Sequence, residues 1–143
     1  MMVAVCGPNE ATPEEAELAE AVGEALARRG CAVICGGRDG VMAAACRGAK
    51  RAGGVTIGVL PGYDRRAANP WVDYAICTGM GEARNAIVVA SADVVIAWVA
   101  GSVHYRRSRS RSSSASASSH WEAGHSRTSD WPARKPNNST ARR

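Results

Sequence analysis

Over its first hundred residues the chain repeats one unit: a short run of Val, Ile, Ala and Cys that ends in glycine or Pro-Gly, followed in most cases by residues at helical spacing. Residues 3–6 run into Gly7-Pro8, residues 32–35 into Gly36-Gly37, residues 55–60 into Pro61-Gly62, and residues 74–77 into Thr78-Gly79. A fifth run covers 93–99. Runs this uniformly apolar leave no wet face, so they predict strands of a parallel sheet covered by helices on both sides. The expected fold class is α/β, a Rossmann-like doubly wound parallel sheet.

The first helix is clearly bounded. Thr12 can cap it, Pro13 suits the first helical position, and Glu15 completes a capping box. Leu18, Val22, Ala25 and Leu26 then fall on one face, and Arg28-Arg29-Gly30 places cations and a glycine at the end. Residues 41–52 predict a second helix, whose Ala43, Ala44, Ala45, Gly48 and Ala49 are small enough for close approach to the sheet. A polar loop follows at 63–72, and residues 82–90 predict a third helix.

Beyond residue 100 the text changes. Twelve of the thirteen serines and all three histidines lie there, and 106–114 read Arg-Arg-Ser-Arg-Ser-Arg-Ser-Ser-Ser. Residues 1–100 hold nine basic against eleven acidic side chains, and 101–143 hold nine against two, so the net charge of +5 belongs to the tail. With no helical or strand period and few apolar residues, 101–143 are expected to be a disordered basic tail after an incomplete domain at 1–100. The arginine-serine run is not sustained through 115–143, so nucleic acid is not an expected partner. The five cysteines form no CxxC pair and have no histidine at ligand spacing, which predicts buried thiols and no metal site. The start shows neither a basic leader nor a long apolar segment, so a cytoplasmic protein without a membrane span is expected.

In a parallel sheet, ligands sit beyond the carboxyl ends of the strands, where helix starts favour anions. Gly7, the 36–40 turn with Gly36, Gly37 and Gly40, Pro61-Gly62 and Thr78 all belong to that edge. The turn is not a G-x-G-x-x-G, and no acidic residue ends the second strand to hold a dinucleotide ribose, so it reads equally as a structural turn. Arg84, at the start of the third helix, can present its fork to a phosphate or pair on the surface with Glu82 or Asp73. Asn85 can bond a ligand or help start the helix, while Asp39 and Asp64 suit Asx turns.

Several stretches together carry a family resemblance: Val5-Cys6-Gly7, Cys35-Gly36-Gly37-x-x-Gly40-Val41-Met42-x-Ala44, Gly48-Ala49, Ile57-Gly58-Val59-Leu60-Pro61-Gly62, Ala68-Asn69-Pro70, Gly81-Glu82-Ala83-Arg84-Asn85 and Ser91-Ala92-Asp93. Residues 2–97 resemble the lysine-decarboxylase-like, or LOG-like, superfamily, in particular the branch near the molybdenum-cofactor carrier proteins. The resemblance implies a phosphate or ribose contact at Arg84, the candidate catalytic residue, with Gly36, Gly37, Gly40 and Met42 lining the site. It implies either the molybdenum cofactor or a nucleoside monophosphate as ligand, and a homo-oligomer. LOG enzymes carry a Pro-Gly-Gly-x-Gly-Thr-x-x-Glu motif after the fifth strand, and this chain does not. With permitted GC-rich codons, Gly101 to Ser114 read two bases later give Val-Gly-Thr-Leu-Ser-Glu-Ile-Ala-Leu-Ala-Leu-Lys-Leu. The tail is therefore expected to be a frameshifted translation, and N-glycosidic cleavage is not expected of the chain as written.

Overall fold

The computed structural model describes residues 1–99 and 101–107. Strands β1 (Met2–Cys6), β2 (Ala32–Cys35), β3 (Thr56–Leu60), β4 (Tyr74–Cys77), β5 (Val94–Val99) and β6 (Ser102–Arg107) form one sheet in the order β4-β3-β2-β1-β5-β6. The first five are parallel, and β6 runs antiparallel to β5. The fold is α/β and doubly wound, as the apolar runs predict.

Helix α1 (Pro13–Arg28) starts at the expected box: Thr12 Oγ1 accepts from the Glu15 N–H at 3.2 Å, and Glu15 Oε2 accepts from the Thr12 N–H at 3.0 Å. Helices α1 and α2 (Val41–Arg51) cover one face, burying Val3, Val5, Val33, Val94, Ile96 and Trp98 with Ala19, Leu26 and Ala45. Their glycines interlock. A Cβ on Gly23 would lie 2.0 Å from the Ala45 carbonyl oxygen, and one on Gly48 would lie 1.9 Å from that of Glu20. The small residues of α2 thus bring it against α1 as well as the sheet. Helix α3 (Asn85–Ser91) covers the other face through Val88, over Ala4, Ile34 and Val59. It is shorter than expected, because Gly81–Arg84 form a separate 3-10 turn.

One expectation fails in part. Residues 102–107 are not disordered: Gly101 turns the chain at φ +78°, and β6 pairs from Val99↔Ser102 to Val94↔Arg107. Val103 and Tyr105 alternate with polar residues, a two-residue period of good strand formers, and the open edge of β5 supplies the hydrogen-bond partners. The sheet therefore continues past residue 100 to the end of β6. The disorder expected for 108–143, including most of the arginine-serine run, lies outside the described residues. Among the described residues, no helix is long and apolar enough to cross a membrane.

Candidate functional site

Because β1 to β5 are parallel, their carboxyl ends share one rim, and the turns at Gly7, 36–40, Pro61-Gly62 and Thr78 all lie on it. The chain reverses its direction across the sheet at β1, which lies between β2 and β5, so the topological switch point is there.

Most of these glycines make room for the protein itself. A Cβ on Gly7 would meet Val41 Cβ at 2.7 Å, one on Gly40 would meet the Pro8 carbonyl oxygen at 2.4 Å, and one on Gly37 would meet Leu60 and Gly58 at 3.0 and 3.1 Å. Gly37 and Gly40 also hold φ of +72° and +62°, which suits residues lacking a Cβ. The 36–40 turn is closed by internal bonds: the Gly37 N–H donates to Cys35 Sγ at 3.3 Å, and the Val41 N–H donates to the Pro8 carbonyl at 3.2 Å. Gly62 differs, since a Cβ there would meet nothing within 4 Å.

Arg84 is the centre of the rim. It is 4% exposed, and its guanidinium lies against Gly36, where a Cβ would stand 1.9 Å from Nη1 and 2.9 Å from Met42 Sδ. Nη1 donates to the Val59 carbonyl at 3.2 Å, Nη2 is 3.7 Å from Glu82 Oε2, and Nε is buried without a partner among the described residues. Asp73 is not its counter-ion: that carboxylate accepts from Lys50 Nζ at 2.8 Å and from the Thr56 N–H at 3.0 Å. Met42, 5% exposed, packs with Cys35 and Cys46.

The ends of β3 and β4 are stitched together. Thr78 donates through N–H and Oγ1 to the Leu60 carbonyl at 3.2 and 2.7 Å, Gly79 N–H to Gly62 at 3.1 Å, and Gly81 N–H to Pro61 at 2.9 Å. These bonds fix the start of the 3-10 turn from which Arg84 projects. Asn85 is exposed and donates to Glu82 Oε2 at 3.2 Å, a local contact at the start of α3. Asp64 accepts from the Arg66 N–H at 2.9 Å, the Asx turn expected of it.

Two features were not read from the sequence. Asn69, 5% exposed, donates through its N–H to Gly37 and through Nδ2 to the Arg38 carbonyl, both at 2.9 Å, tying the polar loop to the glycine turn. Its signal was the Asn-Pro pair at 69–70, a turn former placed in a loop. The other is a contact of Cys35 Sγ with Cys46 Sγ at 3.6 Å. The hydrogen bond from Cys46 holds the Cys35 thiol below its usual range against the effect of burial, helped by the Gly37 N–H and the Arg84 charge. Cys46 is pushed well up, by its bond to Cys35 and then by burial. Burial likewise raises Cys6, with Cys35 adding to the effect and Arg84 opposing it. Among the described residues, no group of three or more His, Cys, Asp or Glu is placed to hold a metal.

The rim thus holds a buried guanidinium whose Nε has no acceptor among the described residues, a donor suited to an anionic group. The SLOG cluster4 family model matches residues 1–103. A protein of Archaeoglobus fulgidus is 41% identical over 96 residues, which are 67% of this chain and 63% of that protein. The solved molybdenum cofactor binding protein of Rippkaea orientalis is 47% identical, with a TM-score of 0.66 over 67% of this chain and 60% of that one. For the molybdenum cofactor carrier protein of Chlamydomonas reinhardtii the identity is 39% and the TM-score 0.63, over 67% and 60%. The chain spans about three fifths of the length of these relatives.

Proposed function

Because the chain belongs to the SLOG cluster4 family, we propose that it binds a phosphate-bearing small molecule at this rim, the molybdenum cofactor in first place, and carries it without chemistry. The observation that bears most weight is Arg84: a guanidinium is rarely buried with an unpaired N–H unless an acceptor is to arrive. The ligand phosphate would be drawn to the Arg84 guanidinium at the rim. The likeness to the molybdenum cofactor binding protein of Rippkaea orientalis and to the molybdenum cofactor carrier protein of Chlamydomonas reinhardtii supports that choice of ligand. A homo-oligomer in the cytoplasm belongs to the same reading, and light scattering tests the oligomer.

A nucleoside 5'-monophosphate phosphoribohydrolase is the second reading, and the same Arg84 favours it. That reaction needs a carboxylate to stabilise an oxocarbenium-like transition state, which we assign to the Gly-Thr-x-x-Glu of the shifted frame.

The test is titration of the purified protein with molybdenum cofactor and, separately, with AMP. Stoichiometric cofactor binding without turnover is expected, and Arg84→Ala should weaken it tenfold to a hundredfold, the worth of about 1.5–3 kcal/mol for hydrogen bonds to a charged group. Release of adenine from AMP, lost in Arg84→Ala, would replace the carrier with the hydrolase. No binding of either ligand refutes both readings.

A further inference from the structure

The contact between Cys35 and Cys46 is unlike that of two unrelated core thiols. Cys35 ends β2 directly before the glycine turn and Cys46 lies in the middle of α2, so the two sulfurs close the base of the 36–40 turn. Both residues are 0% exposed, packed with Met42, Trp71 and Val72. Their sulfurs, 3.6 Å apart, need to approach by only about 1.5 Å to reach disulfide length.

We propose that Cys35 and Cys46 are a modifiable dithiol: a hydroperoxide converts them to an intrachain disulfide that distorts the 36–40 turn and weakens ligand binding. The coupling to ligand rests on the reading given under Proposed function; the bridge does not. The Cys35 thiolate attacks the peroxide oxygen, giving a sulfenic acid and hydroxide. The Cys46 sulfur then attacks the Cys35 sulfur, and the sulfenic oxygen leaves as water. In sum, two thiols and one hydrogen peroxide give one disulfide and two waters.

The effect on the turn follows from the bond that Cys35 already makes. Its sulfur accepts the Gly37 N–H at 3.3 Å, and bridging to Cys46 draws it away, so a buried donor must find another partner. Gly37 moves with Gly36, on which Arg84 rests. Since both thiols are covered, the oxidant enters through opening of the turn, and a ligand that closes the turn slows the reaction.

The experiment treats the native protein with hydrogen peroxide, alkylates the remaining thiols and maps the peptides, following Gly37 amide exchange in parallel. A Cys35–Cys46 cross-link reversed by dithiothreitol is expected, with Gly37 exchange at least fivefold faster in the bridged form. Cys46→Ala and Cys46→Ser should each abolish both effects. The molybdenum cofactor should bind the bridged form about tenfold more weakly, and by linkage should shift the potential of the pair by about 30 mV toward reduction. Alkylatable Cys35 and Cys46 after treatment that oxidises the partly exposed Cys6 and Cys77 would overturn the proposal, as would a bridge that leaves Gly37 exchange unchanged. Failure of the molybdenum cofactor to bind the reduced protein overturns the ligand coupling, while the cross-link and the exchange rate still decide the dithiol.

Discussion

Asp73 shows how a single carboxylate can be misassigned from sequence and still matter. Its spacing made it a candidate partner for Arg84, but it lies at the amino end of β4, where it accepts from Lys50, the Thr56 N–H and, at 3.2 Å, Thr56 Oγ1. Burial opposes its charge, yet Lys50 and the Thr56 donors outweigh burial and hold its pKa below the usual value. A depressed carboxyl pKa stabilises the fold above the unfolded value of about 3.9 and loses that stabilisation as pH falls through the folded value. Because this carboxylate is exposed and solvent screens its contacts, Asp73→Asn should cost no more than about 1 kcal/mol at neutral pH, and urea unfolding curves should show the gap from wild type narrowing below pH ~4. Trp98 offers the opposite case, being 5% exposed with an indole N–H that has no partner among the described residues. Removing an unsatisfied donor offsets the smaller ring, so Trp98→Phe should change stability by no more than about 1 kcal/mol, where truncation of a paired, buried tryptophan costs ~3–5. Arg84 itself was legible as a rim cation, since a glycine-rich turn feeding a helix places its third or fourth residue there. Its burial was not, because that depends on Gly36 lying two strands away from the turn that carries Arg84.

At the level of elements, the sequence is most readable where a signal is local. The Thr12–Glu15 box, the αL glycine at Gly30 (φ +70°) and the strand runs act within a few residues, and each element forms where its signal lies. What depends on distant partners was less legible. The small residues of α2 were expected to face the sheet, and Gly48 instead meets the backbone of α1. Gly48→Ala should cost about 3 kcal/mol, since the new methyl group meets a carbonyl oxygen in a helix and cannot rotate away; thermal unfolding should show the loss, with ligand affinity at low temperature unchanged. Strand β6 was missed for a related reason. Its two-residue period spans only Val103 and Tyr105, too short to recognise inside a polar tail, and the unpaired edge of β5 supplied the rest.

For the whole molecule, the rim is built from four turns contributed along the sequence, and the order β4-β3-β2-β1 of parallel strands gathers them on one side. That much followed from parallel strands alone, whereas the stitching of β3 to β4 and the closure of the 36–40 turn did not. The family match ends at residue 103, inside β6, close to where the composition changes. We therefore expect the coding DNA across codons 95–120 to encode Gly-Thr-x-x-Glu in another frame; resequencing that finds no such reading would refute the frameshift. Strand β1 has a further bearing on how the protein is made. It pairs on one flank with residues 32–35 and on the other with 94–97. During translation the second flank stays unsealed until nearly a hundred residues have left the ribosome, exposing a sticky ribbon at the heart of the nascent chain. Lesions in β5 should then reach the cell as insolubility and chaperone load before any other defect could be noticed.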